Sequence, residues 1–338
     1  MSKSYDIVVV GAGPTGSTAA RFAAEGGANV LLIDRKRDIG IPVRCGEGVS
    51  KEPLKEFIEP HPSFVRNSVD QIRLFPPNGN SVVLTPDKSG YILDRRVFDR
   101  ELSLIAANSG ADLLTSCAAC QIKRVDDSTV NVFVSHHGDK KVINCKIVIG
   151  ADGVESRVGR MLGIETATTL HNTEGALQYV ISHPEINTQY CDFYFGNNVA
   201  PGGYLWVFPG ENNIASIGLG CAGDELIHKS LHQLLDNFMN KTYPGAKILS
   251  EVAGGIPVQA TLEEITADNI LLCGDAARQV SPITGGGIIN GMVGGKLAGI
   301  TAAHAIENGS WKKSDFEEYP KEWHNRIGEN HNKYYKMK

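Results

Sequence analysis

The sequence predicts an α/β protein: a discontinuous Rossmann-type domain, an inserted β-rich domain and a short C-terminal helical tail. Three glycine-bearing segments predict it. The chain opens with the apolar run Asp6-Ile-Val-Val-Val10, which leads into Gly11-Ala-Gly13-Pro14-Thr15-Gly16. A later run, Ile147-Val-Ile149, ends in Gly150-Ala-Asp152-Gly153. A third, Asn269-Ile-Leu-Leu-Cys273, ends in Gly274-Asp275-Ala-Ala277, with Pro282-Ile-Thr-Gly285-Gly286-Gly287 just behind it. Each alone is a weak signal. Together, in this order, they describe a binding site for a dinucleotide.

The first segment carries the clearest physics. A short β-branched run is the signature of a buried parallel strand. Gly11 permits the tight turn, Gly13 lets a pyrophosphate approach the backbone, and Gly16 lets the next helix pack on the strand. Pro14 suits a first helical turn, where its missing N–H costs nothing. A helix over about Thr15–Glu25 then points its positive end at the phosphates. The next strand, Asn29–Ile33, delivers Asp34, roughly 20 residues beyond the first glycine, where a carboxylate is expected to accept the ribose hydroxyls.

The remaining elements follow from pattern. Residues 35–62 are loop-rich. Gln71–Phe75 and Ser81–Leu84 flank Pro76-Pro-Asn-Gly79 and read as a hairpin. Val97–Asn108 is an amphipathic helix ended by Ser109-Gly110. Gln121–Val125, Val130–Ser135 and Val142–Ile149 are strands. Between Gly175 and Gly255 the texture turns β-rich, with Ala176–Ser182, Tyr190–Phe195, Tyr204–Phe208 and Ile214–Leu219 as strands and one helix over about Glu225–Asn240. A helix from Gly287 to about Ile306 and a polar helical tail close the chain. The expected boundaries are 1–65, 91–165 and 256–310 for the nucleotide domain, 66–90 and 166–255 for the substrate domain, and 311–338 for the tail.

Composition narrows the function. The 338 residues are 42% hydrophobic and 21% charged, an ordinary globular balance at a two-domain length. The net charge of −5, with no basic cluster, argues against nucleic-acid binding. No signal peptide is expected at the start. Residues 288–306 carry Lys296, His304 and several glycines, so they read as a buried helix rather than a membrane span. Seven cysteines in no compact framework point to a reducing, cytoplasmic compartment. Cys117-Ala-Ala-Cys120 lacks a second pair at zinc spacing and reads as two buried thiols. No metal site is expected. No Ser-His-Asp constellation or HExxH pair appears, and His136-His137 precedes a turn at the surface.

With these residues in place, the chain resembles the para-hydroxybenzoate hydroxylase superfamily of FAD proteins. Within it, Arg44-Cys45-Gly46-Glu47-Gly48 and Pro201-Gly-Gly-Tyr204-Leu-Trp206-Val-Phe208-Pro209 resemble the geranylgeranyl reductase family, the second matching the pattern PxxYxWxFP at every fixed position. The likeness runs from Tyr5 to about Asn308 and is closest to the archaeal ether-lipid reductases. It implies that the Rossmann-type domain is an FAD-binding domain, and that reduced FAD saturates isolated double bonds of a polyprenyl or geranylgeranyl lipid. It also implies a peripheral contact with the membrane, and a transient electron donor such as ferredoxin or NAD(P)H.

The resemblance assigns roles residue by residue. Gly11, Gly13, Pro14, Thr15, Gly16, Asp34, Arg35, Arg44, Cys45, Gly46, Arg95, Asp152, Gly153, Gly274, Asp275, Pro282, Gly285, Gly286, Gly287 and Ile288 fall to the cofactor. Asp275 would bond the ribityl chain, with a simple helix cap as the alternative. Gly285–Gly287 would bring backbone N–H groups to the flavin. Arg95 matches the pattern RxxFD, with Arg96 as the neighbouring choice. Asp152-Gly153 is near the pyrophosphate or a structural turn. Cys45, Tyr204 and Trp206 are the catalytic candidates, and Glu47 is expected to organise the Cys45 loop. Tyr204, Trp206 and Phe208 alternate on one strand face and would wall the isoprenoid chain rather than fill a plain core. Two other readings remain at this stage: a flavin monooxygenase or halogenase of the same fold acting on an aromatic, and a non-catalytic flavin or lipid module.

Overall fold

The computed structural model describes residues 4–85 and 90–338. The chain forms two compact units, one of Met1–Ile41, Asp99–Ala167 and Pro257–Lys338, the other of Pro42–Phe98 and Thr168–Ile256.

In the first unit the strands Ile7–Val10, Val30–Ile33, Ile147–Gly150 and Ile270–Leu272 are buried at every position. They lie in one six-stranded sheet, ordered Thr266–Ala267, Ile270–Leu272, Ile147–Gly150, Ile7–Val10, Val30–Ile33, Asp112–Leu114. All its pairings are parallel except that of Thr266–Ala267 at the edge. This is the predicted Rossmann-type sheet. The three glycine-bearing turns leave the same ends of three neighbouring strands, so segments far apart in sequence meet in space. The helix Pro14–Glu25 packs on Ile288–Asn308, which is lined by small residues because Gly295 and Gly299 lie against the backbone at Thr15 and Ala19.

The sequence expectation of one strand over Val142–Ile149 is corrected. Asp139–Cys145 joins a separate antiparallel sheet with Val130–His136 and Cys117–Arg124, and Ile147–Gly150 joins the main sheet. The chain changes sheets at Lys146, whose ammonium donates to Asp6 at 2.8 Å. Cys117 is buried on its strand and Cys120 is exposed, so only one of the pair is the expected buried thiol. All seven cysteines are free.

The second unit centres on a seven-stranded sheet, ordered Lys247–Pro257, Thr173–Ser182, Ile214–Ala222, Tyr204–Pro209, Tyr190–Phe195, Gln71–Phe75, Val82–Leu84. One face carries Leu177, Tyr179, Ile181, Leu205, Val207, Ile217 and Leu219, which pack with Leu235 and Met239 of the helix Leu231–Thr242. The expected start of that helix at Glu225 is corrected: Glu225–Ile227 is a separate short turn, and Ser230 in extended conformation begins the helix. The hairpin over Gln71–Leu84 forms as expected. The strand Lys247–Pro257 escaped the sequence reading because it is an edge strand exposed along most of its length and shows no alternation.

The unit boundaries also differ from those expected. Pro42–Val65 and residues 91–98 belong to the second unit, because Gly90–Leu93 pairs with both Gly48–Ser50 and Val65–Val69. The tail belongs to the first unit. Its Phe316, Tyr319 and Trp323 are buried. The Tyr319 hydroxyl donates to the Leu272 carbonyl at 2.7 Å and accepts from Gln279 at 2.9 Å, and Gln279 in turn accepts the Gly274 N–H at 2.7 Å. The tail therefore props the third glycine turn from below. Tyr319→Phe should leave a buried carbonyl and a buried amide unpaired and cost about 1–3 kcal/mol, read as a lower midpoint in urea unfolding with unchanged slope.

Candidate active site

The first unit assembles a cradle around Thr15. Gly11 turns with φ 108°, a conformation that needs glycine. A methyl at Gly16 would collide with the Gly11 carbonyl, and one at Gly11 with the Ala151 carbonyl. The Gly11, Gly16 and Gly150-Ala151 backbones thus touch only because side chains are absent. Thr15 fills the gap between the other two segments: a Cβ built on Gly274 would lie 2.5 Å from its hydroxyl, and one on Gly291 would collide with it. Gly287 lies beside Asp275, with 3.2 Å from its Cβ position to Asp275 Oδ1. The loop before it is closed by Ser281 N–H to Gly286 O at 3.1 Å and Gly285 N–H to Ser281 O at 2.9 Å. Pro282 lies inside this loop, and Ile288 begins the helix that leaves it.

Gly13 differs from its neighbours. A Cβ there would meet nothing within 4 Å. Its bare backbone therefore borders open space in front of the Pro14–Glu25 helix, whose first turn carries no acidic residue. A negatively charged pyrophosphate fits that space and that charge. Asp34 is 8% exposed and accepts the Ala12 N–H at 2.8 Å through Oδ2 and the Lys36 N–H at 2.7 Å through Oδ1. These two bonds fix the carboxylate at the strand end while leaving lone pairs for ribose hydroxyls. Arg35 is held by Glu155 in an exposed ion pair at 3.2 Å. Asp152 Oδ2 caps the helix Arg157–Met161 through the Arg157 and Val158 N–H groups at 2.6 and 3.0 Å. Its Oδ1 is buried without a hydrogen-bond partner, and burial pushes this carboxyl above its usual range. The structural role of Asp152 is thus plain, and one acceptor remains beside Gly153. The donors, open backbone and unsatisfied acceptor of this cradle fit FAD.

The second unit gathers the other half of the expected set: Arg44, Cys45, Gly46, Arg95, Tyr204, Trp206 and Phe208. The two family motifs, far apart in sequence, pack on each other here. A Cβ on Gly46 would lie 2.9 Å from the Phe208 ring and 3.3 Å from Trp206 Nε1, and one on Gly48 would lie 3.2 Å from Phe208. The Cys45 loop thus lies flat on the aromatic face. Arg44 runs beside Gly254 of the Lys247–Pro257 strand.

The face itself is wider than the motif. Phe193, on the next strand and in register with Trp206, stacks at 5.5 Å from Tyr204 and 5.4 Å from Phe208. Trp206 is buried, and its Nε1 donates to Gln178 Oε1 at 3.1 Å across the intervening strand. The bridge is open because Gly218 lies between them in register. Tyr204 and Phe208 are half-buried and offer more surface. Burial, with Glu174 and Cys45 nearby, holds the Tyr204 hydroxyl protonated.

Glu47 ties the loop down. It is 1% exposed, and Oε1 accepts the Arg95 N–H at 3.0 Å while Oε2 accepts from Arg66 Nη1 and Ser216 Oγ, both at 3.1 Å. Burial raises its pKa, and Arg66 works against that rise. Cys45 is half-buried, and its Sγ accepts the Glu47 N–H at 3.2 Å. Burial also raises the thiol's pKa, against the opposing pull of Arg95. Arg66, Gln178, Phe193 and Ser216 carry no motif, and register alone brings them here. Among the described residues no cluster of His, Cys, Asp and Glu suits a metal ion.

A Rossmann-type cradle of this kind defines an FAD-dependent oxidoreductase, and the FAD dependent oxidoreductase family matches over residues 6–176. The geranylgeranyl reductase catalytic domain matches over residues 172–256, most of the second unit's sheet. The chain is 42% identical over 327 residues to the digeranylgeranylglycerophospholipid reductase of Methanothrix thermoacetophila, covering 96% of this chain and 84% of that one. It is 42% identical over 332 residues to digeranylgeranylglycerophospholipid reductase 2 of Methanococcoides burtonii, covering 97% and 82%. The chain belongs to the geranylgeranyl reductase family. The crystal structure of a geranylgeranyl bacteriochlorophyll reductase-like protein from Thermoplasma acidophilum superposes with a TM-score of 0.94 at 35% identity, covering 99% of this chain and 87% of that one. A myxobacterial chondrochloren halogenase superposes at 0.79 with 17% identity, covering 99% and 82%. That likeness shows the fold alone, and the halogenase reading of the sequence falls with it.

Two outcomes follow from the geometry. Gly13→Val should unfold at the same temperature as wild type when both are flavin-free, because its side chain enters open space, yet bind FAD at least about tenfold more weakly, measured by fluorescence titration. Gly218→Ala places a methyl 2.5 Å from the Trp206 ring and 2.7 Å from the Leu177 carbonyl. It should cost about 1–3 kcal/mol and shift tryptophan emission to the red.

Proposed function

We propose that this chain reduces isoprenoid carbon–carbon double bonds of geranylgeranyl lipids, with ether phospholipids as the substrate class, and that Cys45 and the Tyr204–Phe208 face carry the reaction. The observation that carries the reading is the packing of the Cys45 loop on the aromatic face, which joins the two family motifs in one unit. FAD, when bound, supplies the two electrons of the reduction. The protein's tasks are to hold an apolar chain still, exclude water, and keep a proton at hand for the second carbon.

Tyr204, Phe208 and Phe193 offer flat apolar area, and Trp206 is braced behind them by Gln178. The Cys45 thiol, protonated at neutral pH through burial, holds a proton at Sγ beside that face. The Tyr204 hydroxyl is a second protonated group there. In the first unit, Gly11–Gly16, Asp34, Arg35, Asp152-Gly153, Gly274-Asp275, Pro282 and Gly285–Ile288 bind the cofactor. Arg44, Gly46 and Arg95 of the second unit are the remaining candidates that the family resemblance assigns to the cofactor.

The electron donor visits transiently, as ferredoxin or NAD(P)H, since the chain's second GxGxxG run, Gly218-Leu-Gly220-Cys-Ala-Gly223, lies along the strand Ile214–Ala222 and does not link a strand to a helix. The enzyme works at the membrane surface from the reducing side. Among the described residues no helix is long and apolar enough to cross a membrane, and a lipid substrate must still be drawn from the bilayer.

The deciding experiment is anaerobic turnover of the FAD-loaded protein with a panel of geranylgeranyl lipids and a chemical reductant, read by product mass. Gains of two mass units per reduced bond are expected with ether phospholipids. No gain with any polyprenyl lipid would overturn the reading. Cys45→Ala should retain FAD but slow turnover or alter which bonds are saturated, whereas Trp206→Ala should raise KM more than it lowers kcat. Wild-type rates and products in Cys45→Ala would remove the thiol from the reaction.

A further inference from the structure

Glu47 lies between two glycines, Gly46 and Gly48, yet it is Glu47 that takes the left-handed backbone, with φ 70°. A non-glycine residue stays in that region only when its surroundings over-determine it, and such residues gather at functional sites. Here the surroundings are the donors to its carboxylate: the Arg95 N–H, Arg66 and the Ser216 hydroxyl. Its carbonyl accepts the Leu93 N–H at 2.9 Å. The left-handed turn has one local product. It directs the Glu47 N–H onto Cys45 Sγ at 3.2 Å.

The charges around Cys45 are unevenly placed. The Arg95 side chain reaches the sulfur, as both a charge and a hydrogen-bond donor, and the Glu47 carboxylate is the opposing charge. Arg66 is shared at 3.1 Å between Glu47 and Asp94, and Asp94 also binds Arg96 at 2.6 Å. From the sheet, Tyr204 is a neutral hydroxyl, with the Glu174 carboxylate acting on it as well. Removing Glu47's charge would leave the Arg95 guanidinium uncompensated beside the thiol.

We propose that Glu47 is the positioning residue for Cys45: its carboxylate locks the left-handed turn that puts its N–H on the sulfur, and offsets the positive charge that Arg95 brings to it. Burial already favours the protonated thiol, the form in which it can serve as a donor, and Glu47 keeps Arg95 from eroding that preference. A cysteine beside arginine alone drifts toward thiolate, which can neither donate a proton nor rest against an apolar chain. The inference rests on the reading of Cys45 as part of the reductase site, but its test needs no lipid.

FAD-loaded protein is alkylated with iodoacetamide across a pH series, and Cys45 is followed in its own peptide, freed by cleavage after Arg44 and Lys51. Glu47→Gln should lower the pH midpoint of labelling by about one unit, which makes labelling at neutral pH about tenfold faster. Glu47→Gln combined with Arg95→Gln should bring the midpoint back toward wild type, since the charges facing the sulfur are again balanced while the clasp stays broken. A purely structural Glu47 predicts the opposite: a faster plateau at an unchanged midpoint, and no rescue in the double variant. Either result overturns the proposal. If Glu47→Gln does not fold, Arg95→Gln carries the test: a raised midpoint supports the charge balance at the sulfur and an unchanged one overturns it. A wild type that shows these shifts but reduces no geranylgeranyl lipid would remove the reductase reading and leave the positioning of the thiol standing.

Discussion

Thr15 has room for its hydroxyl only because the chain has no side chain at the positions around it. Gly274 and Gly291 would each overlap it if they carried a methyl, and Gly295 lies against its carbonyl. The first helix, the third glycine turn and the long helix Ile288–Asn308 therefore meet backbone to backbone. The cradle depends on this approach. It lets Gly13 face open space, sets Asp275 beside Gly287, and closes the strand ends of one buried sheet around the place of the dinucleotide. Close-packed interiors transmit small changes in volume, so a single added methyl at any of these contacts displaces the backbone of the cradle.

The second unit reaches a comparable end by another route. Its face is built from large rings over small residues: Trp206 crosses Gly218 to reach Gln178, and the Cys45 loop lies on Phe208 because Gly46 and Gly48 are bare. One carboxylate then fixes the loop. A buried ion pair such as Glu47–Arg66 is weak evidence for stability, since desolvation offsets much of its attraction. It is stronger evidence for a single geometry, because each oxygen of Glu47 has an assigned donor.

The first unit's binding segments were legible in sequence because their chemistry is local. Gly11, Gly13, Gly16 and Asp34 act through a turn and the strand beside it, and the PxxYxWxFP run is a strand with a fixed alternation. Phe193, Ser216, Arg66 and Gln178 were not legible. Each becomes part of the site through cross-strand register or an ion pair between strands, and register is invisible in a composition or a period. The tail is helical, as its sequence predicts. Its polar character is real, but the few buried residues in it, Phe316, Tyr319 and Trp323, decide where it docks.

By itself the sequence determined the fold class, the use of a dinucleotide and the identity of the two family motifs, because each depends on neighbours within a few residues. Only the tertiary structure decided that the motifs pack on each other, that Cys45 lies under a strained glutamate rather than in an open glycine loop, and that residues 42–65 fold with the second unit. Those outcomes are set by pairing between strands and by which charges share a buried volume. Both are properties of the folded chain that no local stretch of it encodes.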